Sequence, residues 1–495
     1  MYLQSLPILL PVLSLQELPV LELTADDTRI TESVRIVIPE GLVIADVNGN
    51  GVLHVVADDV RILFTEGSVL NGASPRLLPD QYTGVGVRVE GQSGLRIEGL
   101  RVRGFKAGVY ATQANGLAID RADVTDNFAE RLRSTPTLCD DGSDWLHCHD
   151  NENNEWLQNY GAGIYIEDSR GVSVTRSRAR RTQNGCLLDA VTDALVSDCD
   201  FSFLSGWGLG LWRTSDSIIA HNAFDFCIRG YSHGVYNRGQ DSAGILVFEQ
   251  CSNNAFVDNS ATHGGDGIFG FAGREALGER ASEGDGFDAT RLGNNDNLFR
   301  GNDLSYAAAH GLEMTFSFGN RVMNNSFAGN AICGIWGGYS QGMLIHDNWF
   351  DSNGDAGYGL ERGGVNIEHS MDNWIVRNAF TGNKCGVHLW WDEDVGLMKS
   401  AWAKANIAAC SGNGVVGNRF TGDQVALHLR TCEPVAFADN TMVDVGVEVD
   451  GADGCTAPAD PAVIPPCTAV VPEAMGTSPV GARKHLAGRE NIIMG

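Results

Sequence analysis

An internal repeat of roughly 20 to 24 residues limits what this chain can fold into more than any other feature of its sequence. One phrase of each repeat is short and rich in β-branched residues, as in "LVSDCDF" at Leu195 and "IIAHNAF" at Ile218. After a turn comes a second phrase that starts with glycine, as in "GLGLWRT" at Gly208, "GLEMTFS" at Gly311 and "GIWGGYS" at Gly334. Short strands with Gly and Asn turns at this period predict a stacked, all-β solenoid.

The apolar positions of the repeat accept Val, Ile, Phe, Cys and Leu alike, whereas leucine-rich repeats need Leu at fixed spacings. The sequence instead resembles the right-handed parallel β-helix proteins of the pectin-lyase-like superfamily, over roughly residues 30 to 445. The resemblance implies a single-stranded right-handed parallel β-helix with long inserted loops, whose coils add short strands to parallel sheets. It does not fix the activity, because this superfamily holds lyases, glycoside hydrolases, epimerases and adhesive proteins.

The chain is predicted to have three parts: an N-terminal segment or cap at 1–30, a β-helix domain at 31–445, and a Cys/Pro-rich tail or cap at 446–495. Solenoid ends expose unpaired strand edges, so both end segments suit capping. The first segment is apolar but has no Lys or Arg before its hydrophobic run, so it makes a poor signal peptide. No stretch approaches the roughly 20 uninterrupted apolar residues of a membrane span, so no membrane insertion is expected.

Charge and cysteine content bear on the partners and the compartment. The chain has 62 acidic and 35 basic residues, a net charge of −27, which argues against nucleic acid or an anionic membrane as partner. Cys139 with Cys148, and Cys455 with Cys467, each close a short polar loop, which favours an oxidising compartment. We therefore expect an extracellular or periplasmic monomer, although no convincing signal peptide is visible. Cysteines inside the repeats are expected to be buried free thiols; they are Cys186, Cys199, Cys333 and Cys385.

Five steps of the repeat are longer than its period, and the extra residues must leave the coil as loops. These loops are rich in polar and aromatic residues, as in "CDDGSDWLHCHDNENNEWLQNY" and "CIRGYSHGVYNRGQDSA". Long insertions on a minimal repeat more often form the walls of a functional site than variable surface decoration, which is the alternative.

Residues in a strand point alternately to opposite sides, so the second and fourth residues after each glycine should face outward. In this sequence those positions hold many aromatic residues and isolated carboxylates. Aromatic rings bind the apolar faces of sugars, and carboxylates bind hydroxyls or perform acid/base chemistry. The alternative is that the aromatic residues pack under the inserted loops as a second small core.

Glu313 and Glu368 are the predicted acid/base pair, because they lie two coils and one outward step apart. Strand spacings put their backbones roughly 12 Å apart, so inward-leaning side chains could reach the roughly 6.5 to 9.5 Å of an inverting glycosidase. Nearby histidines would tune or replace one of the two carboxylates. The predicted catalytic residues are Glu313, Glu368, His310, His388, Asp266 and His233.

Substrate-binding side chains are predicted along the same face and in an inserted loop. They are Trp336, Trp390, Trp391, Tyr339, Phe269, Phe271, Trp212, Arg238, Asn366 and Tyr236. A second carboxylate pair, Glu167 and Asp189, lies on adjacent coils in one outward column. Its spacing is close to the separation of about 5 Å of a retaining enzyme, and the pair could equally share a calcium ion. No cofactor is otherwise required.

The sequence is compatible with three functions. The first is a secreted glycoside hydrolase that cleaves a neutral or weakly charged polysaccharide or oligosaccharide in a groove along the β-helix. The second is a polysaccharide lyase or C5-epimerase acting on uronates, which needs a base and a group that neutralises the substrate carboxylate. The only cation on or beside the central outward columns is Arg213, which disfavours this reading. The third is a non-catalytic glycan-binding or adhesive β-helix, which predicts an unspecialised outer face.

Overall fold

The chain winds into a long coil whose strands pair in parallel with those of the coils before and after. Two large sheets, of 16 and 15 strands, run along the coil. This is the predicted parallel β-helix. The structure is a computed structural model that describes residues 18–138, 142–230, 239–280, 286–451, 455–456, 471–476 and 486–492.

The 15-stranded sheet carries the outward columns discussed above, and we call it the ladder sheet. Its longest strands have six residues. In spatial order its strands are Thr28–Ile30, Leu53–Val55, Val85–Glu90, Ala107–Thr112, Ala162–Glu167, Cys186–Asp189, Trp207–Trp212, Ala243–Phe248, Asp266–Phe271, His310–Met314, Cys333–Trp336, Gly363–Glu368, Cys385–Trp390, Val425–Arg430 and Val447–Asp450.

The 16-stranded sheet is built from the other phrase of each repeat. Its strands are Val20–Glu22, Val34–Val37, Arg61–Phe64, Arg96–Glu98, Ala118–Asp120, Ser173–Thr175, Leu195–Ser197, Ile218–Ala220, Ala255–Val257, Leu298–Arg300, Arg321–Met323, Leu344–His346, Trp374–Val376, Gly414–Val416, Val435–Ala438 and Cys455–Thr456. A smaller five-stranded sheet contains Ser326–Ala328, Trp349–Asp351, Ala379–Thr381, Arg419–Thr421 and Thr441–Val443. Two-stranded sheets pair Leu70–Asn71 with Val102–Arg103 and Arg178–Ala179 with Asp200–Phe201.

In the described part of the chain the α-helices occur in the inserted loops and are short. They are α1 at Glu155–Tyr160, α2 at Arg274–Leu277 and α3 at Ala401–Asn406. Within the described residues, none is long and apolar enough to cross a membrane.

Stacked identical side chains explain why the repeat is so regular. The rings of Phe327 and Phe350 stack inside the coil with centroids 4.8 Å apart, and Phe380 continues the column at 4.7 Å. In the turns, the side-chain amide of Asn325 donates to the carbonyl of Phe299 at 2.9 Å and to Oδ1 of Asn348 at 3.0 Å. Each buried amide is thus satisfied by its neighbours in adjacent coils, which ties the turn sequence to the stacking.

Glycine starts the ladder strands because adjacent coils touch there. A Cβ added to Gly311 would lie 2.6 Å from the carbonyl oxygen of Leu304 and 2.8 Å from that of Gly334. A Cβ added to Gly334 would lie 2.7 Å from the carbonyl oxygen of Gly364. The glycines at 311 and 334 therefore mark close backbone contacts that a side chain would overlap.

The cysteines follow the prediction only in part. The four cysteines inside the repeats are buried, as expected, and Cys186, Cys333 and Cys385 are free thiols. Cys148 is also a buried free thiol, which contradicts its predicted pairing with Cys139, a residue outside the described part of the chain. The side chains of the other predicted pair, Cys455 and Cys467, are likewise outside it. A disulfide that the sequence did not indicate joins Cys410 to Cys432, 22 residues apart.

Described pieces of the C-terminal tail lie back against the coil. The backbone N–H of Met475 donates to Asp198 Oδ1 at 2.8 Å. The Nε2 atom of His263 lies 2.7 Å from the carbonyl oxygen of Leu486. The tail therefore contacts coils far from the end of the β-helix.

Candidate active site

The ladder sheet has the register that the outward columns require. Phe269 pairs with Glu313, Glu313 with Trp336, Trp336 with Asn366, and Asn366 with His388. The residues that flank these positions along each strand are buried in the core of the coil. Glu313 and Trp336 are therefore direct neighbours on the outer face of the sheet.

Most of the predicted aromatic platform is buried, so that part of the prediction is wrong. Trp212 and Phe269 are 1% and 7% exposed and belong to an apolar cluster covered by the loop that contains α1. The ring of Trp156 in α1 packs on Trp212 with centroids 5.3 Å apart. Phe271 is partly buried against the same cluster. These rings form the second small core that was the alternative, because the inserted loop brings its own tryptophan down onto them.

A second inserted segment covers another part of the ladder sheet. Trp402 in α3 is buried with its ring centroid 5.2 Å from Phe316 and 6.0 Å from Tyr339. The side chain of Tyr339 is consequently buried, which contradicts its predicted role as an open sugar platform.

Trp390 and Asn366 are also shielded from solvent. Trp390 Nε1 donates to Asn366 Oδ1 at 3.0 Å, and both residues are buried. The guanidinium of Arg430 lies 4.0 Å from the ring centroid of Trp390. Trp391 is only partly buried and packs against the core. Among the predicted platforms, Trp336, Phe271 and Trp391 keep some exposure.

Asp266, His310 and Glu313 form a compact group that we call the acid cluster. Asp266 Oδ1 accepts the backbone N–H of His310 at 2.7 Å, and His310 Nε2 lies 3.9 Å from Glu313 Oε2. One polar atom from each residue lies within 4.8 Å of the others. The Glu313 side chain is 19% exposed, while Asp266 and His310 are buried. The structure thus joins three of the predicted catalytic residues at one place.

Electrostatics in the acid cluster favour a protonated carboxyl. Burial raises the pKa of Asp266 well above its usual range, and the charge of Asp241 raises it further. Burial also raises the pKa of Glu313, and so do Asp266 and Asp241. Burial lowers the pKa of His310 to about 3, which leaves the imidazole neutral at pH 7. No cation among the described residues neutralises these two carboxyls, so they cannot both ionise cheaply and a proton stays on the pair.

The inserted loops extend this group with residues that are not among the predicted ones. Cys148, His149 and Asp241 have ligand atoms within 4.8 Å of one another. Asp241 connects the two groups electrostatically, since its charge acts on Asp266 and on Glu313. Nothing in the repeat points to these positions, because inserted residues have no fixed place relative to the coil.

Trp336 stands beside the acid cluster. Its ring centroid is 5.3 Å from that of His310, and its side chain is partly exposed. A Cβ built on Gly338 would lie 3.4 Å from Trp336 Nε1 and 3.9 Å from Glu368 Oε2. The indole therefore lies between Glu313 and Glu368, with an apolar face next to an acid.

Glu368 belongs to a different group from Glu313. Its Oε1 atom lies 3.5 Å from Nε2 of His369, and that Nε2 atom lies 3.8 Å from Oδ1 of Asp392. Glu313 has a ligand atom within 4.8 Å of Asp266, whereas Glu368 groups with His369 and Asp392, so the predicted pairing of Glu313 with Glu368 gives way to a pairing within the acid cluster. Asp266 and His310 immediately precede the glycines of adjacent coils, so the sequence already places both at the entrance to the strand of Glu313. It did not show that Asp266, rather than Glu368, groups with Glu313.

His388 lies in a stack of rings. Its ring centroid is 4.4 Å from that of His428 and 5.7 Å from that of Trp390. Burial lowers the pKa of His388 to about 2, and the neighbouring His428 lowers it too. A buried, neutral and stacked imidazole suits packing, which weakens its predicted catalytic role.

Glu167 and Asp189 are adjacent in register, as predicted, but protein donors occupy them. Glu167 accepts the hydroxyl of Tyr110 at 2.6 Å and the amide of Asn154 at 2.7 Å. Asp189 Oδ2 accepts the Tyr165 hydroxyl at 2.8 Å, and burial raises the pKa of Asp189 to about 7. This hydrogen bonding fixes the first inserted loop to the ladder sheet, and calcium binding there stays a prediction.

The remaining predicted residues, His233, Tyr236 and Arg238, lie outside the described residues. Arg430 is a cation on the ladder sheet that the prediction missed. It follows Trp390 in the fourth outward column, one coil further along the ladder sheet. Its guanidinium lies 3.4 Å from Glu361 and 3.5 Å from Asp392.

Comparisons with known proteins agree with this architecture. One family model, described as a right handed beta helix region, matches residues 275–397, and another, described as periplasmic copper-binding protein (NosD), matches residues 66–268. Together with the parallel sheets, these matches show that the chain folds as a right-handed parallel β-helix. No curated protein gives a significant sequence match.

Solved structures with similar coordinates have low sequence identity. The mannuronan C-5 epimerase AlgE6 A-module of Azotobacter vinelandii is 13% identical, with 84% of this chain and 87% of that chain covered and a TM-score of 0.41. DFA-IIIase from Arthrobacter chlorophenolicus A6 without its lid is 12% identical, with 66% and 83% covered and a TM-score of 0.40. The tailspike gp61 of Pseudomonas phage phi297 is 10% identical, with 72% and 48% covered and a TM-score of 0.37.

Proposed function

We propose that this protein is a carbohydrate-active enzyme of the glycoside hydrolase type whose acid/base pair is Glu313 and Asp266. Glu313 is the general acid that protonates the glycosidic oxygen, and Asp266 is the second carboxylate. Trp336 holds the apolar face of a sugar ring beside them. His310 is neutral and positions the two carboxyls.

The observation that carries this proposal is the raised pKa of two carboxyls that lie within 4.8 Å of each other beside a partly exposed tryptophan. A glycosidase needs one carboxyl that is protonated at working pH and a second one that is close to the same bond. Carboxyls about 5 to 5.5 Å apart are typical of retaining enzymes, whereas inverting enzymes need roughly 6.5 to 9.5 Å. The cluster therefore supports retention of anomeric configuration, which differs from the inverting mechanism expected from Glu313 with Glu368.

The substrate class follows from charge. The residues around the acid cluster are acidic, and the described cations near the ladder sheet are engaged: Arg213 pairs with Glu152 and Glu275, and Arg430 with Glu361. A polyanionic glycan would meet repulsion there, so we propose a neutral or weakly charged one. The disulfide between Cys410 and Cys432 supports secretion to the periplasm or the exterior.

The test is a panel of neutral and uronate-containing polysaccharides, with reducing ends and product stereochemistry measured. On the hydrolysed member, Glu313→Gln and Asp266→Asn are each expected to lower kcat by about 10²- to 10⁴-fold. The control Glu433→Gln, which removes one exposed negative charge away from the cluster, should leave kcat unchanged. Unchanged turnover in Glu313→Gln would remove the proposed acid, and unsaturated uronate products would replace the hydrolase with the lyase alternative.

A further inference from the structure

We propose that Glu368, His369 and Asp392 form a binding site for one divalent transition-metal cation such as Zn²⁺. Nothing in the hydrolase proposal requires this site. It lies outside residues 66–268, the range matched by the copper-binding family model.

The first argument is the imidazole itself. His369 is fully buried, and within the described part of the chain neither of its ring nitrogens has a hydrogen-bond partner. A buried polar atom without a partner costs free energy, so each one calls for an explanation, and a bound ion is one that the neighbouring carboxylates support here. Two carboxylates, those of Glu368 and Asp392, lie close to Nε2, and both are acceptors that can share a cation with it.

The second argument is that a hydrocarbon ring would satisfy the packing at the position of His369. Phe316, Tyr339 and His369 follow one another in a column of stacked rings, with centroids 4.8 Å and then 4.1 Å apart. Trp391 packs against the edge of the imidazole, with its ring centroid 5.9 Å from that of His369. A phenyl ring would fill the same space at no polar cost, whereas this fixed imidazole presents Nε2 to two carboxylates.

The third argument is geometric. The Nε2 atom lies 3.5 Å from Glu368 Oε1 and 3.8 Å from Asp392 Oδ1, and one ligand atom from each residue lies within 4.8 Å of the others. Bonds of about 2.0 to 2.2 Å to a tetrahedral Zn²⁺ put neighbouring ligand atoms about 3.4 Å apart. Small side-chain movements would therefore complete three bonds, with water in the fourth position.

The ligand chemistry selects the type of ion. One imidazole nitrogen with two carboxylates suits Zn²⁺ and similar first-row ions, while Ca²⁺ prefers six to eight oxygen ligands. The site is open to solvent on one side, since the Asp392 side chain is 51% exposed and that of Glu368 is 18% exposed. Arg430 approaches the other oxygen of Asp392 at 3.5 Å, which leaves Oδ1 for the ion.

The experiment is calorimetric titration of Zn²⁺, and separately of Ca²⁺, into the full-length protein after chelation and dialysis, with thermal unfolding followed in parallel. We expect one equivalent of Zn²⁺ to bind and to raise the Tm, because a ligand that binds only the folded state stabilises it. Asp392→Asn should weaken Zn²⁺ binding by about tenfold or more. His369→Phe, which keeps the ring stack on Tyr339, should do the same.

Matched variants separate this site from others. Glu393→Gln removes the exposed charge next to Asp392 and should leave Zn²⁺ affinity unchanged, as should Glu313→Gln. Loss of hydrolysis in Glu313→Gln with intact Zn²⁺ binding would keep the two proposals distinct. The metal site would be refuted if the wild-type protein bound no Zn²⁺, if Ca²⁺ bound more tightly, or if binding survived both Asp392→Asn and His369→Phe.

Discussion

At the scale of single residues, the outer face of the ladder sheet mixes two kinds of side chain that the sequence pattern cannot separate. Trp212 and Trp336 hold outward positions in the same sheet, yet one is buried under α1 and the other stays partly exposed beside Glu313. Strand alternation predicts which residues face outward. It does not predict which of them a loop will cover, because that depends on where inserted residues return to the coil.

A residue-scale prediction concerns stability and pH. Glu313 binds its proton more tightly in the folded protein than in the unfolded chain, because burial raises its pKa. The folded state then carries more protons above the usual carboxyl range, so this group makes the free energy of unfolding fall as pH rises. Relative to wild type, Glu313→Gln should gain stability with rising pH, by up to about 1.4 kcal/mol per pH unit.

This difference is measured by urea unfolding of both proteins at a series of pH values from about 4 to about 8. The free energy of unfolding of the control Glu433→Gln should change with pH in the same way as that of wild type. Parallel curves for wild type and Glu313→Gln would show that Glu313 has an ordinary pKa.

At the scale of elements, each ladder strand packs closely against the strand of the next coil at the position of its glycine. The sequence predicts this contact, because glycine recurs at the point where a Cβ would meet the backbone of the adjacent coil. The inserted helices are different. The sequence indicates where the loops leave the coil, but α3 covers Tyr339 only because the coil brings them together in space.

An element-scale prediction tests the close contact at Gly311. Gly311→Ala should lower the free energy of unfolding by about 1 to 3 kcal/mol, because the new methyl group overlaps the carbonyl oxygens of Leu304 and Gly334. Gly142→Ala is the matched control, since a Cβ there meets no atom within 4 Å. Equal stability of the two variants in urea unfolding would contradict the proposed reason for the glycine column.

At the scale of the whole molecule, the β-helix is a stack in which each coil depends mainly on its neighbours. The disulfide between Cys410 and Cys432 joins positions 22 residues apart, about one repeat. The tail adds contacts over a longer range, from Leu486 back to His263. The disulfide thus joins neighbouring coils near the C-terminal end of the stack, whereas the tail joins that end to coils in its middle.

A prediction at this scale is that the double variant Cys410→Ser/Cys432→Ser loses about 2 to 4 kcal/mol of stability. Thermal unfolding with and without reductant checks it. The reductant should lower the Tm of wild type and leave that of the double variant unchanged. A wild-type Tm that is insensitive to complete reduction would show that the disulfide adds no stability.

The sequence by itself determined the parallel β-helix, the inward and outward faces of the ladder sheet, and the pairing of Glu313 with Trp336, because these follow from a regular period and from strand alternation. Only the tertiary structure decided that Glu313 groups with Asp266 and not with Glu368, that most of the aromatic stripe is buried, and that His369 faces two carboxylates. The reason is physical: a repeat fixes neighbours one coil apart, whereas inserted loops and strand ends meet at distances that no sequence spacing encodes.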